Sequence, residues 1–294
     1  MPAKPSPPLL NSSQTAHNFL LKLKPQAYST ARIQAFLSYL NNPQDKFKVV
    51  HVAGTSGKGS TCQMIASILK QAGYKTGLTI SPYLIDPLEK IQINNRQISE
   101  KFFINLVNKY KFLIVKFNLT YFEAFIALTF IYFARQKVDY AVVETGLGGR
   151  LDATNVFNNP ALSIITNIGL DHTEVLGKTK KQIAREKSAI IKNSQKAITG
   201  SRLIKNAKYI DITKTVNIKT NLLGEFQKQN AILAIEACKF LKIPEKYIKA
   251  GLLKLNHFGR FTVQSQKPLI IIDGAHNPDK IHAFISSFKK LYNF

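Results

Sequence analysis

Three segments of this chain combine glycines, hydroxyls and charge at spacings that suit phosphate and metal chemistry. The first is Gly54-Thr55-Ser56-Gly57-Lys58-Gly59-Ser60-Thr61. Bare backbone N–H groups in such a loop wrap phosphate oxygens, a following helix N-terminus favours negative charge, and a lysine there reaches terminal phosphates. Thr55, Gly57, Lys58, Gly59 and Ser60 are thus candidate nucleotide-binding residues, the alternative being a glycine turn with no ligand. The spacing departs from the common G-x-x-x-x-G-K-[ST] loop, because Gly59 follows Lys58 and the hydroxyl falls one position later, at Ser60. The second segment runs from Glu144 to Asn155 (ETGLGGRLDATN). A carboxylate at the end of a strand suits a magnesium ion, which takes few protein oxygens and completes its shell with water and phosphate; the alternative for Glu144 is a cap or surface charge. The third, Thr166 to Thr173 (TNIGLDHT), carries His172, either a metal ligand or a hydrogen-bonded core histidine. Lys187, in Ala184-Arg185-Glu186-Lys187-Ser188, reads by itself as a solvated helix charge.

The elements that must position these residues alternate in type. Lys48 to Ala53 (KVVHVA) is a β-branched run that predicts a buried strand, followed by a helix over Ser60 to Ala72. A strand over 77–80, helices over 99–116 and 121–135, and strands over 140–144 (YAVVE) and 162–166 (LSIIT) come next. A helix over 178–192, a strand over 196–199, a helix over 227–241 and a strand over 268–273 follow. Thr30 to Leu40 has helical spacing. Strands alternating with helices imply crossover connections and a mostly parallel sheet with flanking helices, an α/β fold. All three chemical segments then fall at strand carboxyl ends, where open parallel sheets bind ligands.

Composition narrows the function classes. The 294 residues, 45% hydrophobic and 20% charged, match globular usage and exclude fibrous or wholly disordered chains. Cys62 and Cys238 are too few for a disulfide framework or a four-thiolate zinc site and fit a reducing cytoplasm. No apolar run is long enough to span a bilayer. The formal charge of +24 raises a nucleic-acid hypothesis, but 34 of the 41 basic residues are lysines scattered along the chain, unlike the concentrated Arg and Lys of a groove reader. A positive field would instead draw anionic substrates to a cleft.

In order along the chain, AGTSGKGST, SPYL, LTYFEA, ETGLGGRLDATN, TNIGLDHTEVLG, IAREKSAII, LLGEFQKQNAILA, FGRF and DGAHNP resemble the motifs of folylpolyglutamate synthase and dihydrofolate synthase, of the Mur ligase superfamily. The resemblance runs from about Arg32 to Asp279. It implies a P-loop-like central domain and an ATP-dependent amide ligase, monomeric and cytoplasmic, that adds L-glutamate to dihydropteroate or reduced folate in folate biosynthesis through an acyl phosphate. It places Asn230, Arg260, Asp273 and His276 with the glycine loop at ATP. Ser60, Ser81, Glu144 and His172 become Mg²⁺ ligands, and Lys58 and Lys187 the catalytic lysines, Lys187 aligning with one the family carbamoylates. Thr120, Tyr121, Phe122 and Glu123, with Leu151, Asp152 and Ala153, become the pterin-binding region. The partners implied are small molecules, with no nucleic acid and no membrane.

This chain departs from the family pattern at Ser56, where asparagine is usual, and at Tyr83, where the SPH motif has histidine. Gln26 to Arg32 keeps little of the pterin-lining loop beyond Arg32. The expected organisation is a loose tail over 1–18, an ATP- and pterin-binding domain over 19–266, and the start of a truncated C-terminal ligase domain over 267–294. An impaired or inactive nucleotide-binding remnant and a peptidoglycan-type Mur ligase are the alternative readings.

Overall fold

The computed structural model describes residues 9–214, 218–255 and 258–292. The chain begins with Ser13–Leu21 (α1) and Ala31–Tyr39 (α2), then Lys48–Ala53 (β1), Lys58–Gln71 (α3), Thr76–Thr79 (β2), Gln92–Ile93 (β3), Arg96–Gln97 (β4), Glu100–Lys116 (α4) and Tyr121–Arg135 (α5). Tyr140–Glu144 (β5), Leu162–Ile165 (β6), Thr173–Leu176 (α6), Lys180–Ser188 (α7), Ala197–Thr199 (β7) and Lys208–Tyr209 (β8) follow. Glu225–Phe240 (α8), Glu245–Leu253 (α9), Thr262–Gln266 (β9), Leu269–Ile272 (β10) and Pro278–Tyr292 (α10) complete it.

Eight strands form one sheet in the order β4-β3-β2-β5-β1-β6-β7-β8. It is parallel from β2 through β8, with β3 and β4 added antiparallel at one edge. The sheet is covered on both faces, which explains why its strands read as continuous apolar runs. Val49, Ala141 and Val143 face α1, α2, α4 and α5, in a core built around Phe36, Phe103, Phe125, Phe130 and Phe133. Their strand neighbours Val50, Val52 and Val142 face α3, α8 and α9, among Ile65, Ile68, Leu233 and Ala234. Helix α9 meets α3 at Gly251, where a Cβ would lie 2.5 Å from Ile68 Cα. Gly251→Ala should therefore cost about 1–3 kcal/mol by overpacking; an unchanged denaturation midpoint would contradict this contact.

The α/β fold class matches the sequence expectation, and most element bounds agree within two residues. Three differences have physical causes. Part of the loose tail expected over 1–18 is a packed helix: α1 begins at Ser13 behind a Ser12/Thr15 capping box, and Ala16, His17 and Leu20 are buried against α4 and α5, while 1–8 lie outside the described residues. The helix expected over 178–192 ends at Ser188. Finally, the strand expected over 268–273 is half of an antiparallel hairpin with β9, so a boundary at 266/267 falls within the hairpin turn. Phe284 of α10 packs on Phe261, the residue before β9, ring centroids 5.1 Å apart. Cys62 and Cys238 are free and buried. Among the described residues no helix is long and apolar enough to cross a membrane.

Candidate active site

The carboxyl ends of β1, β2, β5 and β6 converge on a cavity of about 470 Å³. The glycine loop after β1 forms its floor and is fastened to the loop after β6. Ser56 N donates to Asn167 Oδ1 (2.8 Å), Thr166 Oγ1 donates to Ser56 O (2.6 Å), and Thr55 Oγ1 exchanges hydrogen bonds with Gly169. Gly57 has φ +81°, and a side chain there would run into the Asn230 amide of α8. These contacts hold the first N–H groups of α3 open toward the cavity, which is what an anion site at a helix N-terminus requires. Lys58 Nζ donates to Gly54 O at 3.0 Å.

Glu144, at the end of β5, is 5% exposed and accepts from Ser81 N at 2.9 Å. Burial pushes its carboxyl pKa up, opposed first by Lys58 and then by the Ser81 N–H, Arg260 and Lys280. The following loop is organised by buried Asp152, whose carboxylate accepts from Leu147 N (2.7 Å) and from the Thr154 amide and hydroxyl. Because Thr154 Oγ1 gives its proton to Asp152, it accepts from His51 Nε2 (2.8 Å), which sets a neutral His51 with the proton on Nε2. Burial holds that imidazole pKa down at about 3. Arg150 of the same loop ties to Glu186 through Nε to Oε1 (2.9 Å) and through its backbone N–H.

That tie seats α7 so that Lys187 is 4% exposed and lines the cavity. Burial lowers its ammonium pKa to about 7, assisted by Lys58 and opposed by Asp171 and Asp152. The solvated helix charge expected from the sequence alone is thus a buried one. The far wall comes from the C-terminal segment: Arg260, Asp273 and Lys280 line it. Asp273 holds the loop by accepting from Phe261 N and Ala275 N, both at 2.8 Å, and Asn277 Nδ2 reaches Asp171 Oδ2 at 3.3 Å.

Of the residues singled out in the sequence, Thr55, Gly57, Lys58, Gly59, Ser60, Ser81, Phe122, Glu144, His172, Lys187, Asn230, Arg260 and Asp273 border this one cavity. Thr120, Tyr121, Glu123, Leu151, Asp152, Ala153 and His276 stand outside its lining. Thr120 and Glu123 form the capping box of α5, and Glu123 pairs with Arg32 at 2.8 Å. Ala153 is in the core. His276 Nδ1 donates to Gly274 O (2.8 Å), leaving Nε2 to accept from Lys280 Nζ (3.0 Å). The sequence reading did not name Lys90, Asn167, Asp171, Phe226, Gln229 or Lys280, which also line the cavity. Asn167, Asp171, Phe226 and Gln229 lie inside motifs already quoted; Lys90 and Lys280 fall outside them and leave no local signal.

Lys58, Lys90, Lys187, Arg260 and Lys280 face Glu144, Asp171 and Asp273 across this space, so the cavity has more cationic than anionic side chains and suits a polyanion. Among the described residues no three His, Cys, Asp or Glu side chains form a metal-binding group. The expected set of one buried carboxylate, two serine hydroxyls and an imidazole nevertheless shares the lining. That hard, oxygen-dominated donor set fits magnesium completed by phosphate and water.

A glycine loop between the central strand of a parallel sheet and its helix, a buried strand-end carboxylate and a buried lysine define the site of a Mur-type ATP-dependent ligase. Residues 52–208 match the Mur ligase middle domain. The chain is 33% identical to the dihydrofolate synthase/folylpolyglutamate synthase of Bacillus subtilis, covering 89% of this chain and 72% of that protein. It is 34% identical to a probable dihydrofolate synthetase of Schizosaccharomyces pombe, over 89% and 73% of the two chains. Among solved structures, apo folylpolyglutamate synthase of L. casei superposes with a TM-score of 0.86 at 28% identity, covering 96% of this chain and 81% of that one. Escherichia coli FolC bound to ADP gives 0.85 at 29%, over 95% and 74%. The chain belongs to the folylpolyglutamate synthase/dihydrofolate synthase family of ATP-dependent ligases. These relatives do not favour the peptidoglycan-type or inactive-remnant readings.

Proposed function

We propose that this protein joins L-glutamate to the carboxylate of dihydropteroate or of a reduced folate at the expense of ATP. The observation that carries the reading is the convergence of Lys58, Ser81, Glu144, His172 and Lys187 on one cationic cavity beside the glycine loop. A carboxylate oxygen of the acceptor attacks the γ-phosphorus of ATP, the bond to the β-phosphate oxygen breaks, and ADP leaves an acyl phosphate. The glutamate amine then attacks the acyl carbon, loses a proton and expels inorganic phosphate as the amide forms. Lys58 and the N–H groups of the loop stabilise charge on the transferring phosphoryl group, and Arg260 and Lys280 neutralise it from the opposite wall. Ser60, Ser81, Glu144 and His172 would hold Mg²⁺, which supplies charge neutralisation and a template for the phosphates. Lys187, carbamoylated as in the family, would contribute an anion to the same site. Phe122 lines the cavity, and its ring packs over the backbone of Gly146; it offers a flat apolar face to an aromatic acceptor. Asp152, Leu151, Ala153 and the Thr120–Glu123 turn shape that wall from behind. His276 acts through Lys280. The division of labour is between the eight-stranded sheet, which holds ATP and acceptor, and the C-terminal segment, whose Arg260, Asp273 and Lys280 line the wall facing the phosphates.

The test is glutamate incorporation by the purified protein with ATP and Mg²⁺, offering dihydropteroate and tetrahydrofolate in parallel, with released phosphate measured against amide. One phosphate per amide on either acceptor is expected. Folded protein that binds ATP yet forms no amide from either acceptor would overturn the reading. Gly57→Ala should weaken binding of a non-hydrolysable ATP analogue by about tenfold, since positive φ strains alanine by about 1 kcal/mol or more and the new methyl displaces Asn230. Unchanged affinity in a titration would show that the loop does not cradle the nucleotide.

A further inference from the structure

Lys90 is a buried cation with no counter-ion among the described residues. It lies between Asp86 and β3, is 7% exposed and lines the cavity. Its Nζ donates to Tyr121 Oη at 3.2 Å and sits 4.8–5.0 Å from the ring centroids of Tyr83, Tyr121 and Phe125. Tyr121 Oη accepts from an ammonium, which can only donate, so its own proton points to His17 Nε2 at 3.0 Å. His17 is thereby a neutral acceptor and supplies no negative charge. The two nearby carboxylates are engaged elsewhere: Glu89 accepts from the backbone N–H groups of Leu84, Ile85 and Asp86, and Asp86 from Leu88 N. Among the described residues Lys90 takes part in no ion pair. Aromatic faces offset part of the cost of burying an ammonium, but a charge without a partner remains expensive inside a protein. Among the described residues only one of its three N–H groups has a hydrogen-bond acceptor.

The position of Lys90 says which ligand. Nucleotide phosphates belong to the glycine loop, at Lys58 and the α3 N-terminus. Lys90 is instead linked, through Tyr121, to Phe122, whose ring lies over Gly146 two residues after Glu144. This is the wall assigned above to the acceptor. The reacting carboxylate of the acceptor must lie by Glu144 and Ser81, so an anion at Lys90 is a second one. An acceptor that already bears a glutamate has two carboxylates, one to be activated and one that stays free; a pteroate-type acceptor has one only.

We propose that Lys90 is a specificity-determining residue that binds the free carboxylate of a glutamate-bearing acceptor. The inference rests on the ligase reading and adds to it the basis for discrimination between the two acceptor classes. Equilibrium binding tests it without turnover: tetrahydrofolate monoglutamate and dihydropteroate are titrated separately into the full chain with Mg²⁺ and a non-hydrolysable ATP analogue. Lys90→Met is expected to weaken the monoglutamate by about tenfold or more, the range for a hydrogen-bonded charge, and dihydropteroate by less than about threefold. Lys90→Arg should restore most of the difference. Lys90→Gln, which keeps a donor for Tyr121 and removes the charge, gives the same comparison if the methionine variant does not fold. Equal weakening of both acceptors would make Lys90 a structural staple between its loop and α5 and overturn the proposal, as would no weakening of either. Wild-type protein that binds the ATP analogue but neither acceptor would remove the ligase reading itself, and this inference with it.

Discussion

Lys58→Ala will reduce glutamate-dependent phosphate release by about 10²–10³-fold, the scale for removing one preorganised group that stabilises developing charge. Lys58 opens α3, borders the cavity, and is the group that most strongly opposes the rise that burial imposes on the Glu144 pKa. Its ammonium would therefore act on the transferring phosphoryl group and on the buried Glu144 carboxylate beside it. Substrate binding should suffer much less than kcat, because the remaining loop N–H groups, Arg260 and Lys280 still attract phosphate. Single-turnover measurements of acyl phosphate formation, alongside titration with the ATP analogue, separate the two effects. A variant with wild-type turnover would remove Lys58 from the chemistry altogether. Lys58→Arg should recover little, since a planar guanidinium cannot follow the path of a compact ammonium through a loop of this size.

Lys187→Ala carries the second large effect, a loss of about 10²-fold or more in kcat, and a particular pH signature. Burial, then Lys58, holds the Lys187 ammonium pKa down at about 7. Below that pH it is one more cation in a cationic cavity; above it, the neutral amine can take up carbon dioxide and become an anion. Wild-type activity should therefore rise between pH 6 and 8, fall in buffers stripped of carbon dioxide, and return on adding bicarbonate. Short carboxylic acids should partly restore Lys187→Ala, and carbon-13 NMR with labelled bicarbonate should detect the adduct. Activity indifferent to bicarbonate would exclude a carbamate. The same shift bears on stability. The ordinary lysine value in the unfolded chain is 10.5 and the folded value about 7, so between them the unfolded chain binds more protons and stability gains with rising pH. Without carbon dioxide, Lys187→Met should lack that gain, and the difference in Tm between variant and wild type should change between pH 7 and 9 in favour of the wild type.

Features governed by neighbouring residues were readable in the chain. The run KVVHVA is apolar on both faces because it lies in a parallel sheet covered by helices on both sides, and β-branched residues favour strands wherever they occur. The glycine loop needs positive φ at Gly57, and only glycine adopts it without strain. Such local rules make three strand-end segments at the same end of the sheet legible in the chain alone. Helix α1 was not readable: its cap is a Ser12/Thr15 pair without the usual Glu or Gln, and its apolar face is Ala16, His17 and Leu20. The strand β9 (TVQSQ) carries little β-branched signal and exists through its pairing with β10.

Charge states could not be read at all, because burial sets them and burial is made by residues far apart in the chain. Lys187 looks like any helix lysine until the Arg150–Glu186 tie seats α7 against the loop after β5. Lys90 has no motif, and its surroundings come from His17, Tyr83, Tyr121 and Phe125, on three different parts of the chain. Local spacing thus determined which segments meet around one cavity at the end of the sheet. The tertiary structure alone decided which lysines stand out of water, since the dielectric around an ammonium is a property of the assembled walls and not of its sequence neighbours.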